Sequence, residues 1–427
     1  MSLFSPSAYE RPAYRWGVLA LLTVVYSFNF IDRQLLVILQ ESIKTEMGLS
    51  DKQLGLLSGF SFAIFYVSFG IPIARLADQG TRRSIVAVAL AVWSGMTALS
   101  GLAQNFIQLL LARIGVAVGE AGGSPPAHAI ISDIFEGERR ATALAIYSMG
   151  INIGVLLGFL LGGWINEFYG WRMAFIVVGL PGVALAVILR LVVAEPVRGL
   201  AEGKQSSEAP PPFKDTLALL WSRPSFRHLS IACGLHAFIT YGAGNFLPSL
   251  FLRLHEITTG ELGTWLALAS VSGGAGTFLG GYLSDKLAVR DQRWYQWVPA
   301  VTTIVTIPFT LFIYTTDQTY LALALNFVPA IFFAAYLAPN IAVTHSLVGL
   351  RMRALSSAIL FFVLNLVGLG GGPLLIGWVS DLLEPHFGLE SIRYAMVYVI
   401  PAVSVWSTVH YLIAAKHVRQ DLARAPA

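Results

Sequence analysis

Charge is scarce in this 427-residue chain. Asp, Glu, Lys and Arg make up 12% of it, against about 25% in soluble domains. A chain of this length folding in water with so few charges would expose apolar surface, which excludes an ordinary soluble globular class. Cysteine is nearly missing too. The single thiol, Cys233, lies inside an apolar stretch, so neither an intrachain disulfide nor a cysteine-rich metal site is available. It reads as a small buried hydrophobe. Nucleotide-binding motifs are absent: GLAEGKQ (199–205) has the wrong spacing for a Walker A loop and lacks its Ser or Thr, and the glycine-rich stretches do not meet GxGxxG spacing. Nothing combines a nucleophile with a base, and no metal-ligand cluster stands out, so an enzyme, a cofactor and a bound metal are not expected. The formal net charge of +4 is spread over many loops, so a nucleic-acid partner is not expected either.

Apolar sequence fills the space that charge leaves, at 56% hydrophobic residues. Runs of roughly 18 or more apolar residues read as membrane spans, and they recur nearly end to end. Twelve can be marked, at approximately 15–40, 53–74, 84–103, 107–134, 141–165, 172–194, 229–252, 260–284, 297–315, 319–345, 354–382 and 392–415. Each satisfies its own backbone as a helix in lipid. The first run is too long for a cleaved signal and is read as a retained span. The fold class expected is an all-α membrane protein of twelve transmembrane helices. Lys and Arg crowd the loops on one side, including Arg75, Arg82, Arg83, Arg139, Arg140, Lys204, Lys286 and Arg290, while the other side carries Lys44, Lys52, Arg172, Arg253 and Arg393. The positive-inside rule then puts both termini in the cytoplasm of a multi-pass membrane protein.

The longest polar stretch, 195–228, is rich in Pro, Gly and Ser and reads as a cytoplasmic linker. Its part from Phe213 to Trp221 is expected as a short interfacial helix. It divides the chain into a six-helix bundle over 1–194 and another over 229–427. The halves look like copies. Arg140/Arg353 and Asn152/Asn365 are both 213 apart, and Gly154/Gly368 and Trp164/Trp378 are both 214 apart. Two parallel six-span repeats imply a substrate cavity between the halves near the bilayer midplane, reached alternately from either side.

Ionisable groups within spans are expensive and commonly functional. The first span contains NFIDR, with Asn29, Asp32 and Arg33 on one helical face. The fourth contains RIGVAVGEAGGSPP, in which Arg113 and Glu120 lie two turns apart. Opposite charges on two helices can neutralise one another across a wet cavity. Carboxylates there suit proton carriage, and guanidinium groups suit a carboxylate or phosphate headgroup. Asp32 and Glu120 are therefore candidate proton carriers, and Arg33 and Arg113 candidate anion contacts, against the alternative of ion pairs that only lock helices together. Tyr241 and Asn245 in the seventh span, with Asn340 and Asn365, are candidate cavity residues of the second half. His128, His236 and His345 also lie in spans, and a neutral hydrogen-bonded state is preferred to a relay. The ladder Gly150, Gly154, Gly158, Gly162 and the stretch GLGGGP (368–373) are read as close-packing and bending devices.

Two loops carry charge at matching places: Asp78, Arg82 and Arg83 after the second span, and Asp285, Lys286 and Arg290 after the eighth. With Asp133 and Arg139 near the first set, these are candidate gating latches.

The segment from Ala74 to Arg83 resembles the loop signature GxLADRxGRR of the major facilitator superfamily, with Ala74 for the first Gly, Gln79 for Arg, and Thr81 at the usual second Gly. Arg113 and the glycines after it are similar to that superfamily's fourth-span signature. Within it, NFIDR and GEAGGSPPAHAIISDIF resemble the Spinster family, whose eukaryotic members export sphingosine-1-phosphate or lysophospholipids. That resemblance implies Asp32 and Glu120 as a protonation pair and Arg33 as a headgroup contact. Short loops point to a bacterial member; an inner-membrane location and a monomeric state among membrane lipids are further expectations. The expected function is proton-coupled secondary transport of an amphiphilic anionic lipid. The alternatives are a proton-coupled porter of small organic anions, an uncoupled facilitator, and a receptor or scaffold.

Overall fold

The computed structural model describes residues 5–197, 213–349 and 352–425. Within them, twelve long helical segments follow one another. They are α1 (Pro12–Met47), α2 (51–79), α3 (Arg82–Ser100), α4 (Phe106–Ile134), α5 (Gly137–Tyr169), α6 (Trp171–Val192), α7 (Pro224–Leu254), α8 (Thr259–Ala288), α9 (Trp294–Thr315), α10 (Thr319–Ser346), α11 (353–387) and α12 (Ser391–Ala423). A one-turn helix over Pro6–Glu10 precedes them, and a further helix occupies Phe213–Ser222. The surface is apolar along the helices: Val88, Leu111, Phe278 and Tyr398 are exposed, while Asp32, Arg113 and Glu120 are at most 1% exposed. That inversion of the soluble pattern is the mark of a multi-pass membrane protein.

Local chemistry places the helix ends. Pro12 opens α1, where its missing N–H removes no bond. Gly48 closes it at φ +64°, the left-handed conformation glycine tolerates, with Leu49 N–H returning to the Lys44 carbonyl at 3.1 Å. Ser50 then starts α2 with a capping box: its hydroxyl accepts from Gln53 N–H at 3.3 Å and its own N–H donates to Gln53 Oε1 at 2.9 Å. The joint between α5 and α6 is one residue, Gly170 at φ +81°.

Several helices are not continuous. In α2 a π-helical turn covers Leu56–Phe60, and in α11 another covers Leu364–Gly371. Inside α4, Gly122 and Gly123 donate to the Gly119 and Glu120 carbonyls at 3.0 Å each, a tightened turn, and Pro125 and Pro126 then lack donors of their own. Glu120 is the last residue before this break.

The residues form two compact units. The first contains α1, α2 from Ser61, α3 to α6, and the opening turns of α8, Thr258–Ala267. In it α1 lies along α5. The α5 ladder makes the approach possible: a Cβ on Gly150 would come 2.8 Å from the Thr23 carbonyl, on Gly154 2.6 Å from Phe30 Cβ, and on Gly158 2.7 Å from Gln34 Cβ. Glu167 Oε2 accepts from Gly260 N–H, capping the start of α8 at 2.8 Å.

The second unit contains Ser50–Phe60 at the start of α2, the helix Phe213–Ser222, α7, α8 from Leu268, and α9 to α12. Here α7 lies along α11, and a Cβ on Gly372 would come 3.0 Å from Gly242 N. Thus α7 with α11 repeats the pairing of α1 with α5. The start of α2 is capped by Asp381, which accepts from Asp51 and Lys52 N–H at 2.8 and 3.0 Å. Glu167 and Asp381 stand 214 residues apart, the offset of the sequence repeat. Leu220, Phe226, Cys233, Leu360 and Tyr411 share one buried cluster; Cys233 packs as a hydrophobe, with the Tyr411 hydroxyl 3.8 Å away.

Candidate functional site

The first unit buries two crossed ion pairs between α1 and α4. Asp32 on α1 takes two hydrogen bonds from Arg113 Nη1, at 3.0 and 2.9 Å, and one from the Thr97 hydroxyl on α3 at 2.5 Å. Arg33, the next residue, reaches the other way: its Nε and Nη2 donate to Glu120 Oε2 at 2.8 and 2.7 Å. Adjacent residues on α1 point to partners two turns apart on α4, so the network zips one helix to the other. Trp93 on α3 backs α4 here. It fits because a Cβ on Gly119 would come 2.7 Å from Trp93 N, and one on Gly123 would meet the ring at 3.2 Å.

Each pair leaves one buried atom without a hydrogen-bond partner among the described residues, Arg113 Nε in the first and a carboxylate oxygen in the second. Asp32 and Arg113 are each 2% exposed at the side chain, and both Asp32 oxygens are engaged. Glu120 is fully buried, yet its Oε1 has no hydrogen-bond partner among the described residues. Leaving a buried polar atom unsatisfied costs about 1–3 kcal/mol, so such an oxygen marks a place for a proton, water or substrate group. Arg33 is the most accessible member, at 19% of its side chain. Its guanidinium lies over the rings of Phe30, Phe62 and Tyr66, at 5.1, 4.6 and 5.3 Å. Aromatic faces hold a guanidinium without competing for its donors. The arrangement presents a cation, an incompletely satisfied carboxylate and apolar rings together.

Asn29 is buried one turn before Arg33. In the second unit, Asn245 is buried with its amide donating to the Tyr241 carbonyl at 2.7 Å, and Tyr241 packs beside the buried cluster. Asn340 accepts from Gln296 Nε2 at 3.1 Å. His236 is bound through both ring nitrogens, to the Thr303 hydroxyl at 2.8 Å and the Phe333 carbonyl at 3.1 Å, and stacks on Tyr336. His128 bonds the Ser124 carbonyl at 2.8 Å and His345 the Ser357 hydroxyl at 2.6 Å.

The charged loops resolve into specific contacts. Arg82 Nη1 pairs with Asp133. Glu195, just past α6, accepts from the N–H groups of Arg82 and Arg83 at 3.0 and 2.9 Å and from Arg82 Nε at 3.2 Å, capping α3 with a carboxylate where the helix dipole favours one. Arg83 also donates to the Val193 carbonyl at 3.0 Å. The side chain of Asp78 lies outside the described residues, as does Lys204. Arg139 is exposed. Asp285 accepts from the Tyr295 hydroxyl at 2.9 Å, Lys286 lies 5.6 Å from the Tyr282 ring centre, and Arg290 is exposed. The charge cluster of this region centres on Asp291, which accepts from Arg293 Nε at 2.9 Å and Arg419 Nε at 2.8 Å. The Arg293 guanidinium, followed by its backbone N–H and Arg419, lowers the Asp291 carboxyl to about 2.

Sequence reasoning missed Thr97, Glu195, Asp291 and Arg419. It also missed a buried bidentate pair of Arg253 with Asp51, at 2.8 and 2.6 Å, to which Ser380 adds a hydroxyl at 2.6 Å. Glu195, an acid directly after an apolar run, carried a readable signal. A threonine in an apolar helix carries none.

Twelve long apolar helical segments among the described residues, with ion pairs buried between them, define a polytopic membrane protein. The Major Facilitator Superfamily model matches residues 22–373. The chain is 34% identical to an MFS-type efflux pump of Mycolicibacterium smegmatis, over 96% of this chain and 95% of that one. It is 28% identical to the cis,cis-muconate transport protein of Acinetobacter baylyi over 72% and 73% of the two chains, and 26% identical to the sphingosine-1-phosphate transporter of Mus musculus over 95% and 78%. A crystal structure of a bacterial homologue of the human lysosomal transporter Spinster, inward-facing and unoccupied, superposes with a TM-score of 0.84 at 32% identity, covering 97% of this chain and 98% of that one. The chain belongs to the Major Facilitator Superfamily and, within it, to the Spinster family.

Proposed function

We propose that the protein is a proton-coupled secondary transporter that moves an amphiphilic anionic lipid by alternating access. Glu120 and Asp32 are the proton carriers and Arg33 the headgroup contact. The observation that carries this reading is the unequal satisfaction of Glu120. One oxygen is held by Arg33 and the other, fully buried, has no partner among the described residues. A proton on Glu120 removes its charge and frees the Arg33 donors for a phosphate or carboxylate, which a guanidinium grips through two parallel bonds. The rings of Phe30, Phe62 and Tyr66 around that guanidinium suit an amphiphile better than a fully polar anion. The relation to the sphingosine-1-phosphate transporter supports the lipid class. Both oxygens of Asp32 are bonded, to Arg113 and Thr97, and Arg113 is its counter-charge. Asn29, Tyr241 and Asn245 are assigned to the substrate path, and the Arg82–Asp133 contact with Glu195 to a latch on the cytoplasmic side, where both termini lie.

The relation to the muconate protein favours a second reading, proton-coupled uptake of small organic anions by the same residues. Proteoliposomes carrying an internal pH dye separate the two. Lysophospholipids, sphingolipid phosphates and dicarboxylates are added to wild type, Glu120→Gln, Asp32→Asn and Arg33→Gln. Proton flux driven by the lipids and lost in all three variants is the expected result. Flux driven by dicarboxylates alone selects the second reading, and equal flux in wild type and Glu120→Gln overturns the proton role in both.

A further inference from the structure

A cavity that shares no residue with the crossed ion pairs lies where the start of α1 meets the α4–α5 turn. Pro12, Arg15, Trp16, Phe135, Glu136 and Arg139 line a cavity of about 210 Å³. Arg15 donates through Nε to the Tyr9 carbonyl, which fixes its stem, and its Nη1 stands 3.9 Å from Glu136. That distance is long for an ion pair, and Glu136 is 72% exposed, so it leaves most of the Arg15 charge uncompensated. Arg139 is exposed and has no ion pair among the described residues. Trp16 meets Phe135 edge to face at 5.1 Å, making one wall aromatic, and Phe135 is itself buried. Two arginines, one aromatic wall and a cavity wide enough for a phosphate group converge within one unit.

From this geometry we infer that the cavity binds the phosphate headgroup of an anionic phospholipid from the surrounding membrane. Position selects lipid over a free anion. The cavity sits at the first turns of a span, and Trp16, 38% exposed, stands where tryptophan anchors a helix at the headgroup level. The arginines take the phosphate, and the indole packs on the glycerol region below it. The site shares no residue with the Arg33–Glu120 centre, so occupancy there is membrane regulation and not transport.

Full-length protein in nanodiscs of phosphatidylcholine is titrated with phosphatidylglycerol, and both thermal stability and retained lipid by native mass spectrometry are read. Each arginine near an anionic surface contributes about fivefold in affinity, so Arg15→Gln/Arg139→Gln is expected to weaken phosphatidylglycerol binding about thirtyfold. Its melting temperature in pure phosphatidylcholine should match wild type, which separates lost binding from lost folding. Lys214→Gln, a charge change on an exposed linker-helix residue, and Arg33→Gln should both keep the phosphatidylglycerol gain. Equal gain in wild type and the double variant overturns the proposal. So does equal protection by inorganic phosphate or glycerol phosphate alone, which would make this a free-anion site. Loss of the gain in Arg33→Gln would place the lipid at the transport centre instead.

Discussion

The Asp32–Arg113 pair allows a test in which structure and function come apart. Replacing Arg113 with Met leaves Asp32 at 1% exposure with only the Thr97 hydroxyl beside it. Replacing Asp32 with Leu leaves Arg113 equally stranded. Breaking a buried pair from one side costs about 3–5 kcal/mol, because the remaining charge is uncompensated. Removing both partners is different: the apolar side chains fill similar volume, and Thr97 turns to the Trp93 carbonyl it already reaches at 2.8 Å. Asp32→Leu/Arg113→Met should then lie within about 1 kcal/mol of wild type or above it, giving a coupling of at least about 5 kcal/mol. Reversible unfolding in mixed micelles by graded dodecyl sulfate measures all four proteins. A double variant no more stable than the single ones refutes the charge-pair account. Transport is read on the same proteins. A double variant that folds and still carries substrate-driven protons would reduce Asp32 and Arg113 to a lock and leave Glu120 alone as carrier.

Two further outcomes follow from the geometry. Gly154→Leu should prevent α1 from seating on α5 and abolish folded protein, whereas Gly95→Ala, whose added Cβ meets nothing within 4 Å, should leave yield and melting unchanged; similar losses from both would deny the ladder its packing role. Asp291 has a folded value of about 2, below its ordinary 3.8. A depressed carboxyl stabilises the fold above its unfolded value and loses that contribution as pH falls through the folded one. The Arg293–Asp291–Arg419 cluster should therefore persist at pH 4 and dissolve towards pH 2. Carbon-13 titration of the Asp291 carboxyl reads this directly, and a midpoint near 3.8 would refute it.

Much of the fold was legible because lipid imposes one rule on every span: a long apolar run must be a helix. The repeat was legible because the arginine and asparagine anchors stand 213 apart and the glycine and tryptophan anchors 214 apart, nearly one offset. Interruptions inside spans were harder. The tightened turn after Glu120 is announced by GGSPP, but the π-helical turn at Leu56–Phe60 has no local marker, since Gly55 and Gly59 serve the approach of Pro373. In the site, all four charged members could be named from sequence. Which acid meets which base could not, because that depends on the rotation of α1 against α4. The second charged loop shows the limit of reading by repeat: Asp285 stands at the matching position, yet the arginines gather on Asp291, six residues on, because α12 brings Arg419 there.

The carboxylate caps by Glu167 and Asp381 bear on how the chain can be divided. Each cap sits on a helix start that lies across the linker in sequence: Glu167 holds the opening of α8, and Asp381 the opening of α2. A gene cut at the linker therefore yields two polypeptides, each carrying the cap for the other's helix and lacking the one for its own. Each fragment made alone should leave one helix start uncapped, and both caps should form only when the two halves are made together in one cell.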